Sequence, residues 1–177
     1  MKTNKIADII TKNLADRSFP IYLTNYENQG FAEADVFGIS RAGQMYEFEI
    51  KVSKSDFFAD LKNKKYKHKN LSEKKAIQIC YIWKKGKRTE ETFERIIMPN
   101  RFYYVCPFGL IDKSEIPDYA GLIYCDSDKP MEIKPAPLLH HYKANEIIYK
   151  NIATILSQRN KWGCAYRSYK YKLQNNN

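Results

Sequence analysis

The chain has 177 residues, 44% of them hydrophobic, with 30 Lys+Arg against 20 Asp+Glu and a formal net charge of +10. That length supports one domain with a sizeable core, and that hydrophobic content excludes a disordered chain. No apolar run approaches the ~18 residues that suggest a membrane span, and the charge-broken start MKTNKIADIITKNLADRSF lacks the apolar centre of a signal peptide, so a cytoplasmic protein with no membrane partner is expected.

Residues 3 to 15 read as an amphipathic helix, because Ile6, Ile9, Ile10 and Leu14 fall near one face. FPIYLTNY predicts a first strand, broken by the Asn/Gly cluster NYENQG. ADVFGIS predicts a second and, after the short turn RAGQ, MYEFEIKV predicts a third. Strands joined by so few residues form an antiparallel hairpin. Ser53, with Asp56 three residues on, has a capping-box-like spacing for a helix starting near Lys54. Phe57, Phe58 and Leu61 would dock that helix, and Lys62, Lys64, Lys65, Lys67 and Lys69 would cover its outer side. KAIQICYIW and ERIIMP predict two strands around the loop KKGKRTEET. RFYYVCP, AGLIYCD and the short extended piece MEIKPAP follow. LLHHYKANEIIYKNIATILSQR predicts a closing helix, with Ile147, Ile148, Ile152, Ile155 and Leu156 toward the core. Strands and helices mixed in this way predict an α/β layer structure over residues 1–160. A basic aromatic tail, 161–177, follows.

Positive charge is concentrated in two places. Residues 51 to 75 carry nine lysines against Asp56, Asp60 and Glu73, and the tail interleaves Lys161, Arg167, Lys170 and Lys172 with Trp162, Tyr166, Tyr169 and Tyr171, with no acid. This distribution points to a polyanion partner, of which nucleic acid is the commonest; the plainer alternative is solubility. Lys54, Lys62, Lys64, Lys65, Lys67, Lys69, Arg167, Lys170 and Lys172 are the candidate DNA-binding residues. Tail aromatics could stack on unpaired bases or pack on the domain; the spacing of the tyrosines holds neither a helical nor a strand period, which favours a flexible nucleic-acid-contacting tail. His68 would extend the phosphate-contacting face, while His140 and His141, opening the last helix, suit a surface or capping role. Cys80, Cys106, Cys125 and Cys164 contain no C-x-x-C pair and are expected as free thiols.

The chemistry centres on YEFEIKV. Side chains alternate along a strand, so Tyr46, Phe48, Ile50 and Val52 take the core face and Glu47, Glu49, Lys51 and Ser53 the other, expected where the sheet is open or where something charged fills the space. The hairpin brings Asp35 toward Glu49 and Lys51. Two close carboxylates repel, and a divalent ion relieves them: Mg2+, or Mn2+ in its place, takes oxygen ligands and completes its shell with water and phosphate. Lys51 could position or deprotonate a water, or stabilise developing charge. These are the parts for metal-assisted phosphodiester hydrolysis, with Asp35, Glu49 and Lys51 catalytic and Asp35 and Glu49 the metal ligands. An ordinary exposed Glu/Lys strand face has the same spacing.

ADVFGIS…YEFEIKVSKSDF resembles the PD-(D/E)XK nuclease superfamily, with Asp35, Glu49 and Lys51 at the motif positions. EIKVSKSDFFADLKNKKY, RFYYVCP, AGLIYCD and MEIKPAP are similar, in order and wording, to the MmcB-like family of DNA-repair-associated proteins; Asp56, Phe57, Asp60, Lys62 and Tyr66 also have counterparts there. The resemblance implies a restriction-endonuclease-like mixed sheet flanked by helices and a metal-dependent DNA endonuclease of repair, recombination or phage-type DNA processing. It equally admits a nuclease-fold DNA-binding protein with little turnover in a repair or defence complex. RNA is not separated from DNA by charge alone. The chain departs from the family in residues 71–99, which read as an inserted hairpin open to use as a homodimer surface or a DNA wedge, and in the tail. A third acid is not identified: Asp8, Asp16, Glu27 and Glu33 are the candidates.

Overall fold

The structure, a computed structural model, describes residues 2–28, 31–126 and 129–174, with side chains described for 2–27, 33–126 and 129–160. Two compact units divide it, Met1–Lys143 and Ala144–Asn177. Among the described residues, no helix is long and apolar enough to cross a membrane.

The first unit is an α/β domain whose six-stranded mixed sheet is flanked by helices. Helix α1 (Thr3–Asp16) buries the stripe Ile6, Ile9, Ile10 and Leu14, the spacing of one helical face. Strands β1 (Ile21–Asn28), β2 (Phe31–Ile39) and β3 (Met45–Ile50) form an antiparallel meander. Helices α2 (Lys54–Asn63) and α3 (Lys65–Glu73) follow, then β4 (Ile77–Lys84) and β5 (Lys87–Ile96), β6 (Arg101–Pro107), β7 (Ala120–Asp126) and β8 (Lys129–Lys134). The sheet order is β1-β2-β3-β6-β7-β8; β4 and β5 make a separate two-stranded ribbon. The expected nine-residue loop in that ribbon is shorter, because the strands stay paired to Lys84 and Lys87.

Parallel neighbours need a crossover, and β3 pairs β6 in parallel. The chain between them therefore spans one face of the sheet. On one face, Val36, Phe48, Ile50, Tyr103 and Val105 pack with α1. On the other, Phe102, Tyr104 and Cys106 pack with Phe57 of α2 and Leu71 of α3. Gly121 of β7 sits where backbone and ring close in: a methyl there would lie 2.5 Å from the Tyr103 ring and 2.7 Å from the Ala136 nitrogen. Gly121→Ala is therefore expected to destabilise the domain by about 1–3 kcal/mol, read as a lower urea midpoint with unchanged slope.

Several expectations about the chain's end are corrected. The last helix, α4 (Glu146–Gln174), begins eight residues later than Leu138. The segment before it has no regular structure and is pinned by buried Asn100, whose side chain donates to the carbonyls of His140 and Tyr142 at 2.8 Å each and accepts from the Met45 amide at 2.7 Å. His140 is consequently buried, with Nε2 3.0 Å from the Met98 carbonyl, and does not open a helix. Asn145 caps α4 by accepting from the Ile148 amide at 3.2 Å. Ile148 and Ile152 are buried as expected and Ile155 is half-buried, whereas Ile147 and Leu156 are exposed. The tail backbone runs within α4; Arg167, Lys170, Lys172, Cys164 and the tail aromatics have side chains outside the described residues.

Candidate active site

The face of β3 expected to be wet is covered. Glu47, Glu49 and Lys51 are 1%, 3% and 4% exposed, because the crossover lays α2 and α3 above them. Ser53 starts α2, its hydroxyl accepting from the Asp56 amide at 3.1 Å, one half of the expected capping box; Asp56 itself is exposed and lines a pocket with Asp35 and Glu49. The helical run breaks at Lys64, which is not in either helix. The lysines therefore do not form one outer face. Lys62, Lys65 and Lys69 are exposed, and Lys54 is exposed but paired with Glu115 at 3.0 Å. Lys64 and Lys67 are both partly buried, Lys67 with 9% of its side chain exposed, and both turn inward onto carboxylates. As placed, Lys67 does not present its charge to an outside polyanion.

Asp35, Glu49 and Lys51 meet. The β2–β3 register pairs Val36 with Phe48, so the next pair outward is Asp35 with Glu49, and both line one open pocket of about 410 Å³ with Lys51, Asp56, Asp60 and Lys64. Asp35 Oδ2 accepts from the Ile50 amide at 2.7 Å. Glu49 is enclosed by ammonium groups: Lys51 at 3.0 Å and Lys64 at 2.6 Å on Oε1, and Lys67 at 2.9 Å on Oε2. Lys67 also reaches Glu47 at 2.5 Å. Asp60, from α2, holds Lys51 at 3.1 Å and Lys64 at 2.9 Å on Oδ1.

A second layer fixes Asp60. Its Oδ2 lies 3.0 Å from His68 Nε2 and accepts from the Tyr104 hydroxyl at 3.2 Å, while Tyr119 reaches His68 Nδ1 at 2.9 Å. His68 is thus an interior residue, not part of a phosphate-facing surface. Asp60 is a further acid at the site, and of the candidates Asp8, Asp16, Glu27 and Glu33, Asp8 lines a second pocket together with Asp35. The sequence did carry a signal for it: Phe57, Asp60, Lys64, Lys67 and Leu71 follow at spacings of three, four, three and four, a helical face bounded by two buried apolar residues.

Burial pushes the Asp35 carboxyl up, opposed by the Ile50 amide and reinforced by Glu49. Burial also drives Glu47 up, with Lys67 opposing. For Glu49, burial is outweighed by Lys67 and Lys51, and its carboxyl is held low. Asp60 is likewise held low, since His68 and Lys64 hydrogen bonds overcome its burial. The Tyr119 hydroxyl, desolvated, is pushed up to about 12.

Among the described residues, no three His, Cys, Asp or Glu side chains form a ready ligand set, and Asp35 has no ammonium at ion-pair distance. A divalent ion fits beside Asp35, where it would relieve a carboxyl that its surroundings bias toward protonation. Mg2+ needs only one or two carboxylates, with water and phosphate for the rest; Asp35 and Glu49 are the residues that would hold it, and both Glu49 oxygens carry ammonium partners.

The fold and site together define an α/β domain in which a six-stranded mixed sheet carries an acid–lysine centre beneath a two-helix crossover. No protein-family model matches the chain, and no curated protein matches it. Among solved structures, the chain is similar to the SPO1766 protein of unknown function from Silicibacter pomeroyi, with a TM-score of 0.60 and 16% identity over 94% of this chain and 92% of that one. At that identity the likeness is one of fold.

Proposed function

We propose that the protein is a Mg2+- or Mn2+-dependent nuclease of PD-(D/E)XK type, related to the MmcB-like proteins, that hydrolyses phosphodiester bonds of DNA in repair, recombination or phage-type DNA processing. The observation that carries this reading is the convergence of Asp35, Glu49 and Lys51 on one open pocket. A divalent ion at the carboxylates would acidify a water and neutralise charge on phosphorus. Lys51 donates one N–H to Glu49 and stands at ion-pair distance, 3.1 Å, from Asp60; of its three donors, one would turn to a non-bridging phosphate oxygen as its charge grows. Water oxygen bonds to phosphorus in line with the breaking P–O bond, and the leaving alkoxide takes up a proton. Exposed Lys62, Lys65 and Lys69 would hold the backbone.

The test incubates the protein with plasmid, single-stranded and branched DNA and with RNA, in Mg2+, Mn2+ or EDTA. Cutting is expected only with metal, and Asp35→Ala, which breaks no ion pair, is expected to reduce it at least about 10²-fold. A second reading, DNA binding with little turnover, is favoured by a different observation: both Glu49 oxygens already carry ammonium partners. It predicts full DNA binding and no cutting of any substrate in either metal.

A further inference from the structure

The β4–β5 ribbon is hydrogen-bonded to no other strand among the described residues, and it exposes side chains that a soluble domain ordinarily covers. Ile79, Tyr81 and Trp83 alternate along β4 and so share one face, at 52%, 43% and 67% exposure. The ribbon closes through Lys85 and Gly86, with φ of 50° and 76°. Positive φ at both central residues marks the tight turn that matches strand twist. Pairing shifts register between Tyr81, opposite Thr92, and Trp83, opposite Arg88, and then reaches the end with Lys84 opposite Lys87.

This geometry gathers Lys84, Lys85, Lys87 and Arg88 at the turn, all exposed. Lys84 is matched by Glu91 at 2.5 Å. Glu90, Glu91 and Glu94 lie behind the tip, Glu94 as far back as Ile79. Arg88 crosses to Tyr81, its guanidinium carbon 3.3 Å from the ring centroid, and so stiffens the aromatic face beside Trp83.

We propose that the ribbon tip binds unpaired bases of single-stranded nucleic acid, with Trp83 stacking on a base and Lys85 and Lys87 holding the flanking phosphates. An exposed indole beside unpaired cations is the pairing that single strands use, since every base has a π-face and every linkage a charge. A second copy of the chain fits less well, because tip-to-tip contact would bring like charges together. Duplex offers the indole no free base face. The inference extends the proposed nucleic-acid partner to one with an unpaired segment, and it does not depend on catalysis.

The test titrates the full chain, in EDTA, with a labelled single-stranded oligonucleotide and with its duplex. Trp83→Ala is expected to weaken single-strand binding at least about fivefold and to leave duplex binding unchanged. Lys85→Ala/Lys87→Ala is expected to flatten the single-strand slope of log K against log salt by about 1.4. These side chains are exposed, so the variants keep the fold, checked by circular dichroism. Unchanged single-strand affinity in Trp83→Ala, or an equal loss on duplex, overturns the proposal. So does a dimer in sedimentation that Trp83→Ala dissolves without altering oligonucleotide binding. Because EDTA suppresses cutting, a chain that never cleaves still gives a clear answer.

Discussion

Lys51→Met is expected to lower the cleavage rate by about 10²–10⁴-fold while leaving affinity for DNA nearly unchanged. The side chain is buried, so it contributes little to long-range attraction of DNA, and its ammonium is aimed by Glu49 at 3.0 Å and Asp60 at 3.1 Å. Loss of fold would not account for the result. In the variant, Glu49 keeps Lys64 and Lys67, and Asp60 keeps Lys64 and His68, so no buried carboxylate is left without a cation. Lys64→Met is the informative comparison, since it removes an ammonium from the same two carboxylates and leaves Lys51 in place. Single-turnover rates separate the two roles. A large loss confined to Lys51→Met marks a group acting on the phosphate; equal losses in both variants would make Lys51 only a counterion.

Much of this centre was legible because a strand has a period of two. The alternation in YEFEIKV put Glu47, Glu49 and Lys51 on one face and Tyr46, Phe48 and Ile50 on the other, and the short RAGQ turn brought Asp35 alongside. Which face met water was not legible. That depends on β6 pairing in parallel with β3, Tyr46 opposite Arg101, a contact between residues far apart in sequence that leaves no mark on local periodicity. Once that pairing is in place, a crossover is required, and the handedness of such connections selects the face that the intervening helices cover. The lysines were misassigned for a related reason. A lysine run suggests solvent, but Lys64 and Lys67 sit on the face bounded by Phe57 and Leu71, and the buried acids beneath compensate their desolvation. The non-helical segment before α4 depended on Asn100, forty residues from His140, and no propensity of LLHHYKAN encodes such a partner.

Lys67→Met is expected to destabilise the first unit by about 3–5 kcal/mol in urea unfolding, because it leaves a buried carboxylate without its cation. Among the described residues, Lys67 is the one ammonium in ion-pair contact with Glu47, at 2.5 Å, whereas Glu49 retains Lys51 and Lys64. The loss should therefore be traceable to Glu47, and Lys67→Met/Glu47→Gln should recover much of it. A loss below about 1 kcal/mol would instead place the pair with ordinary surface bridges. The pH dependence follows from the same contacts. Burial lowers the pKa of Lys67, but Glu47 and Glu49 outweigh it and hold the folded value above the ordinary one. Its stabilisation is thus complete below the ordinary lysine pKa of ~10.4 and is lost as pH rises through the folded value. Asp60 runs the other way: burial is overcome by His68 and Lys64, the folded pKa is depressed, and its stabilisation, complete above the ordinary ~3.9, is lost as pH falls toward the folded value. The wild-type chain should lose stability at both extremes; Lys67→Met should lose its share of the alkaline step and keep the part of the acidic step that Asp60 carries, because Asp60 is held by Lys51, Lys64 and His68 and not by Lys67, while the part carried by Glu49, which Lys67 and Lys51 hold low, should shrink.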